Sequence, residues 1–182
     1  YDFLSDGYEP MEFCEQTVVS VDVADTALLG DALSGYADRV DICIDHHKSN
    51  RSFAKYSYVD SEASAVCLVL YELFEYMGGG YDKLIASCLY TGIATDTGCF
   101  KYQNTTPAAH RAAAGLMEKG VDYETINRRM FDIKSRGRIL AEQRLIGRMK
   151  YFADDAIAII TITNEMISNY GIDRAELDGF AS

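Results

Sequence analysis

Val40-Asp41-Ile42-Cys43-Ile44-Asp45-His46-His47 is a short, β-branched apolar run that ends in a carboxylate and two adjacent imidazoles. The run reads as a buried strand. Open α/β sheets bind their ligands beyond the carboxyl ends of their strands, so the Asp-His-His triplet stands where a site would be built. Neighbouring residues on a strand point to opposite faces. Just past a strand end that rule relaxes, and both imidazoles can reach one site in different roles. The chain has 3 histidines, and these are two of them.

Upstream, Thr17-Val18-Val19-Ser20-Val21-Asp22-Val23 reads as another buried strand. Asp22 sits inside this apolar run, where a carboxylate needs a partner. It either caps the next helix or binds a metal at the same sheet edge as the triplet. Asp25 can cap the helical turn that follows. Downstream, a helix is expected from Asp60 or Ser61, with Val66, Leu70, Leu73, Phe74 and Met77 at helical spacing and Gly78-Gly79-Gly80 as its stop. A second is expected from Asp82 to about Thr95. It leads into Asp96-Thr97-Gly98, which reads as the last turn of the helix. A carboxylate is unfavourable at the negative end of a helix unless a cation offsets it, which hints at a metal beside Asp96.

Thr106-Pro107 opens another helix that stops at Gly120, with Thr as cap and Pro in the first turn. Asp122 opens a further one. Ser135 to Lys150 reads as long and amphipathic, Ala156 to Thr163 as the clearest strand in the chain, and Thr163 or Asn164 as the next cap. Strands alternating with helices imply an α/β fold with a largely parallel sheet flanked by helices. The expected organisation is a main domain over 1–134, a connecting helix and linker over 135–155, and the start of a smaller second α/β domain over 156–182.

The 182 residues carry a net charge of −11, with 48% apolar side chains. That is enough for a sizeable core, and it argues against coating nucleic acid by bulk charge. The charge is uneven. Residues 1–100 sum to −12, 101–150 to +6 and 151–182 to −5. The basic excess is densest at Arg128, Arg129, Lys134, Arg136 and Arg138. It is either the solvated side of amphipathic helices or a positive wall that draws an anionic substrate. No apolar run is long enough to span a bilayer, and the first residues do not resemble a signal peptide. The 5 cysteines are scattered and never form a C-x-x-C pair, which suits reduced core thiols in a cytoplasmic protein.

Asp22, His46 and Asp96 make a carboxylate–imidazole set without thiolate. Such a set suits Mn²⁺ or Mg²⁺ better than structural zinc, and the mixed donors favour Mn²⁺. Three segments in order, Val18-Val19-Ser20-Val21-Asp22, Ile44-Asp45-His46-His47-Lys48-Ser49-Asn50 and Gly92-Ile93-Ala94-Thr95-Asp96-Thr97-Gly98-Cys99-Phe100, resemble the motifs of the DHH family of phosphoesterases. Ser49-Asn50 and Asp96-Thr97-Gly98-x-Phe100 resemble in particular its bifunctional oligoribonuclease and 3'-phosphoadenosine-5'-phosphate phosphatase group.

The resemblance implies a two-metal site, with ions about 3.5–4 Å apart and water attacking phosphorus in line. Asp22 would bridge the ions, and His46 and Asp96 would bind the second. Asp45 would orient His46 from behind, and His47 would contact the phosphate and stabilise its developing charge. Lys48, Asn50 and Arg51 would be further phosphate contacts. Substrates implied are short single-stranded RNA and 3'-phosphoadenosine 5'-phosphate.

The family's first motif, a His followed by Asp-x-Asp, has no counterpart among residues 1–21, where Asp2 and Asp6 lack the pattern. Its Gly-Gly-Gly-His signature would fall after residue 182. The expectation is therefore a piece of a larger protein that alone binds at most one ion, weakly, and hydrolyses phosphoesters poorly if at all. Alternatives are an inorganic pyrophosphatase or exopolyphosphatase of the same superfamily, a non-catalytic nucleotide-binding module, and a module that forms homodimers through apolar helices.

Overall fold

The structure is a computed structural model that describes residues 1–4, 14–172 and 180. The expectations touching Asp6 and residues 173–179 lie outside the described residues. The chain divides into two compact units, Tyr1–Phe131 and Asp132–Ser182. The first is α/β, with a three-stranded parallel sheet in the order β1-β2-β3. Here β1 is Val19–Val21, β2 is Ile42–Asp45 and β3 is Tyr56–Val59. Val21 pairs with Ile44, and Asp45 pairs with Val59.

Between β1 and β2 lie two 3-10 turns and the short helix α1 (Gly30–Leu33). Asp25 caps the first turn by accepting from the Ala27 amide. Three longer helices follow: α2 (Val66–Tyr76), α3 (Lys83–Asp96) and α4 (Pro107–Glu118). Asp82 caps α3 and Thr106 caps α4, each accepting from an amide in the first turn. The α5 helix (Tyr123–Asn127), capped by Asp122, runs into a π-helical turn over Arg128–Asp132.

The core of this unit is interhelical. Leu68 from α2, Leu89, Ile93 and Ala94 from α3, and Ala109, Ala112 and Leu116 from α4 are all buried in it. Small residues let the helices approach closely. A methyl group added at Gly92 would run into Cys67 Sγ and stand 2.9 Å from Cys67 Cβ. That close approach fixes α3 against α2, and α3 carries Asp96 at its end.

The second unit contains α6 (Arg136–Ile146), the antiparallel hairpin β4 (Lys150–Phe152) and β5 (Ile157–Ile159), and α7 (Asn164–Tyr170). Ser135 caps α6 and Thr163 caps α7.

Several expectations are corrected. Both sheet strands near the triplet are shorter than the apolar runs that announced them, and β1 is not the buried strand expected, since Val19 and Val21 are exposed and only Ser20 is buried. The strand Tyr56–Val59 lies outside the expected elements; it is a four-residue edge strand whose residues are all exposed, although Tyr56-Ser57-Tyr58 alternates. Helix α2 starts at Val66 and not near Asp60, since Asp60 closes local turns by accepting from the Glu62 and Ala63 amides. The helix expected to reach Lys150 ends at Ile146, and Lys150 begins β4. Ala156–Thr163 yields only three strand residues, matching its three-residue partner.

Cys14, Cys43, Cys67 and Cys88 are free thiols. Cys43 is buried, but Cys14 and Cys88 are exposed and not core thiols. No helix among the described residues is long and apolar enough to cross a membrane.

Candidate metal and phosphate site

The end of β2 and the end of α3 meet at the triplet. Asp45 is the last residue of β2 and is fully buried. Its Oδ1 accepts from the His46 amide at 2.7 Å and from the His47 amide at 3.3 Å, and lies 2.7 Å from His47 Nδ1. Its Oδ2 accepts from Asn50 Nδ2 at 2.6 Å. Burial alone would push the Asp45 carboxyl up. The bonds from Asn50, His47 and the two amides outweigh it and hold the group below its usual range. Asp45 is therefore a charged carboxylate with its donors in place.

This corrects two expectations. Asp45 grips the His47 ring; of His46 it holds only the backbone. The His46 ring is held by the Ala63 carbonyl oxygen, 3.1 Å from Nδ1. Asn50, expected at a phosphate, is engaged within the fold. Its amide nitrogen also donates to the Val23 carbonyl at 3.2 Å, and its oxygen accepts from the Ser52 amide at 2.7 Å. Asn50 ties the loop after β2 to the end of β1.

With Nδ1 at the Ala63 carbonyl, His46 presents Nε2 to two carboxylates, Asp22 Oδ1 at 3.5 Å and Asp96 Oδ2 at 3.6 Å. At these separations the contacts are too long for good hydrogen bonds. They approach the spacing of donors that share an ion, because ligands about 2.1 Å from one cation stand about 3.0–3.4 Å apart. Asp22 holds a left-handed backbone (φ 62°), anchored by its amide donating to the Ile44 carbonyl at 3.0 Å. Aspartate tolerates that region better than most residues, at a cost of order 1 kcal/mol.

Asp96 ends α3, and its carboxyl is pushed up by burial and by the Asp22 charge, against which His46 and His47 act. Its last-turn position adds to the misfit. A cation between Asp22 and Asp96 would relieve both. The donor set contains no thiolate. Nearby Cys67 is pushed up to about 12, first by burial and then by the Asp96 and Asp22 charges, so it stays a thiol.

Ligand atoms of Asp22, His46 and His47 also lie within 4.8 Å of one another. His47 Nδ1 is 3.6 Å from Asp22 but 2.7 Å from Asp45, so that nitrogen is committed to Asp45. The hydrogen bond to Asp45 raises the His47 pKa, burial opposes it, and the Asp45, Asp22 and Asp96 charges add to the rise. His47 is half exposed and tends towards imidazolium, and among the described residues its Nε2 has no hydrogen-bond partner.

Lys48 Nζ lies 3.5 Å from Glu62, and Arg51 Nε lies 2.9 Å from Asp25. Both cations are highly exposed, and such pairs are weak. In the basic stretch, Lys134 and Arg138 both reach Glu142, at 2.9 and 3.0 Å. Arg129 lies over the Phe3 ring.

Residues 3–93 match the DHH family, N-terminal domain. The chain belongs to the DHH family. It is 34% identical over 115 residues to the bifunctional oligoribonuclease and PAP phosphatase of Thermus thermophilus, covering 63% of this chain and 34% of that one. It is 24% identical over 136 residues to the Bacillus subtilis protein of the same name, covering 73% and 43%. The chain thus spans between a third and a half of the length of these two curated relatives. Among solved structures, an exopolyphosphatase-related protein from Bacteroides fragilis superposes with a TM-score of 0.80 at 26% identity, over 91% of this chain and 50% of that one. A candidate family II inorganic pyrophosphatase from Methanococcus jannaschii shares the fold, with a TM-score of 0.55 at 20% identity, over 99% and 67%.

The Ala63 carbonyl was not foreseen from sequence, because a backbone oxygen leaves no residue signature.

Proposed function

We propose that the chain is the metal-binding part of a divalent-metal-dependent phosphoesterase that hydrolyses short single-stranded oligoribonucleotides and 3'-phosphoadenosine 5'-phosphate. The observation that carries this is the convergence of Asp22 and Asp96 on His46 Nε2 at 3.5 and 3.6 Å. When bound there, a Mn²⁺ or Mg²⁺ ion supplies a Lewis acid that neutralises phosphoryl charge and lowers the pKa of water. The mixed oxygen and nitrogen donors favour Mn²⁺.

The chain's own groups divide the remaining work. Asp22, His46 Nε2 and Asp96 hold the ion. The Ala63 carbonyl accepts the His46 Nδ1 proton and so leaves Nε2 as the ligand atom. Asp45 keeps a proton on His47 Nδ1, and the His47 Nε2–H binds a phosphoryl oxygen and stabilises charge that grows there. Lys48 and Arg51 can exchange their exposed carboxylate partners for phosphate. An open cavity of about 730 Å³, lined in part by Lys48, Ala63, Tyr102 and Asn104, gives a nucleotide room beside the site. Among the described residues, three ligands for one ion are supplied in this reading. The chain by itself is expected to bind one ion weakly and to turn over slowly.

A second reading, an exopolyphosphatase or pyrophosphatase, is favoured by the likeness to the Bacteroides fragilis structure. Incubating excess chain with Mn²⁺ and either a diribonucleotide, 3'-phosphoadenosine 5'-phosphate or pyrophosphate separates the two. The proposal expects release of mononucleotide or phosphate from the first two. Cleavage of pyrophosphate alone would favour the second reading.

A further inference from the structure

We infer that Asn104 is a positioning residue that straps the Asp96 arm of the site to the segment that orients His46. Its Nδ2 donates to the Asp96 carbonyl oxygen at 3.0 Å and to the Ser64 carbonyl oxygen at 3.0 Å. Ser64 is buried and returns a bond, its Oγ donating to the Asn104 carbonyl oxygen at 2.6 Å. Both side-chain partners are carbonyl oxygens, which fixes the amide orientation. Ser64 directly follows Ala63, whose carbonyl oxygen holds His46 Nδ1. The other ring nitrogen faces Asp96. One amide therefore closes a ring that runs from Asp96 through Asn104, Ser64 and Ala63 to His46 and back to Asp96.

The loop that brings Asn104 to this place is folded for it. Gly98, Cys99 and Phe100 are successively left-handed (φ 56°, 56° and 62°). The Thr97 carbonyl accepts from the Lys101 and Tyr102 amides, both at 2.9 Å, and Thr97 Oγ1 accepts from the Phe100 amide at 3.1 Å. Non-glycine residues in that region cost energy and persist where the surroundings over-determine them. The strap lets a helix end and a loop, which share no strand, hold their donors at one spacing. Aspartate at 104 would set a carboxylate against two carbonyl oxygens, and alanine would leave both without a donor.

This inference rests on the metal reading of the site, and the tests keep the two apart. Mn²⁺ affinity of the chain is measured by calorimetry for the parent, Asn104→Ala, Asn104→Asp and a control, Asp122→Ala, which removes the α5 cap. Each is held well below its melting temperature. The strap predicts affinity 10- to 100-fold weaker in both Asn104 variants, as for other groups that orient metal ligands, and within twofold of the parent in the control. Affinity within twofold in a folded Asn104 variant, beside a parent that binds, would overturn it.

If the parent binds no Mn²⁺, the metal reading fails instead, and a crystal structure of an Asn104 variant decides the strap. It predicts that the separation of Asp96 Oδ2 from His46 Nε2 opens by more than about 1 Å; an unchanged separation would overturn it. Should Asn104→Ala not fold, the near-isosteric Asn104→Asp carries both measurements.

Discussion

The two histidines of the triplet are neighbours in sequence and opposites in environment. His47 is bound at Nδ1 by a buried carboxylate at 2.7 Å, and that carboxylate has its other donors in place. His46 faces two carboxylates at 3.5 and 3.6 Å with no hydrogen bond to either. The first arrangement is satisfied as it stands and leaves one N–H free for an anion. The second is a collection of acceptors that repel one another unless something positive enters. Adjacent residues at a strand end thus differ in what stands behind each ring, and the proposed roles, an anion for His47 and a cation for His46, follow that difference.

The largest expected effect falls on the satisfied arm. Asp45→Ala leaves His47, Asn50 and the His46 and His47 amides without their buried acceptor. Breaking a buried charged network of this kind costs about 3–5 kcal/mol, read as a lowered urea midpoint at constant m-value. A loss below 1 kcal/mol would mean that the two arms are less different than their geometry.

His47→Ala should separate the arms directly. Mn²⁺ affinity is expected to stay within about threefold of the parent, while the affinity of a nucleotide monophosphate in the presence of Mn²⁺ falls at least tenfold, in line with a lost charge-assisted hydrogen bond. Loss of Mn²⁺ binding instead would make His47 a ligand and erase the distinction.

Gly92→Ala probes how the cation arm is held. The added methyl presses on Cys67 and must shift α3, at about 1–3 kcal/mol. Thermal unfolding measures the cost, and Mn²⁺ affinity should fall with it, because Asp96 rides on the same helix. An unchanged melting temperature would show that the α2–α3 contact yields freely.

The smallest effect is in pH. In chelator, the His47–Asp45 pair gains its ionic part only while His47 is charged. Because the folded pKa is raised, that part is fully present below about 6.5, the unfolded value, and is lost as pH rises through the higher folded value. His47→Gln should therefore destabilise more at pH 6 than at pH 9, by about 1 kcal/mol or less given the exposure of the ring. A penalty that grows with pH would contradict the charge assignment.

Much of this fold is legible in the sequence. The apolar runs before Asp22 and Asp45 mark the two strands that bear the site. The caps Asp82, Thr106, Asp122, Ser135 and Thr163 are readable because a short polar side chain precedes each helical stretch. Tyr56–Val59 is hard to read because the alternation of Tyr56, Ser57 and Tyr58 is only a few residues long and the exposed edge buries neither face. Ala156–Thr163 misleads for the converse reason. Its apolar content announces the clearest strand in the chain, but its partner, β4, is three residues long, and Ile157 and Ile159 stay exposed.

At the site, the residue types and their order could be read, but the pairing could not. Spacing does not tell which ring nitrogen Asp45 will take, nor that Asn50 will turn inward to Val23 and Asp45. Those outcomes depend on side-chain direction at a strand end, where the alternation rule no longer applies.

The most direct test is a calorimetric titration of the chain with Mn²⁺ beside His46→Ala. The account predicts one site per chain in the parent and none detectable in the variant, with the fold retained by circular dichroism. A folded His46→Ala that binds Mn²⁺ as the parent does would contradict it.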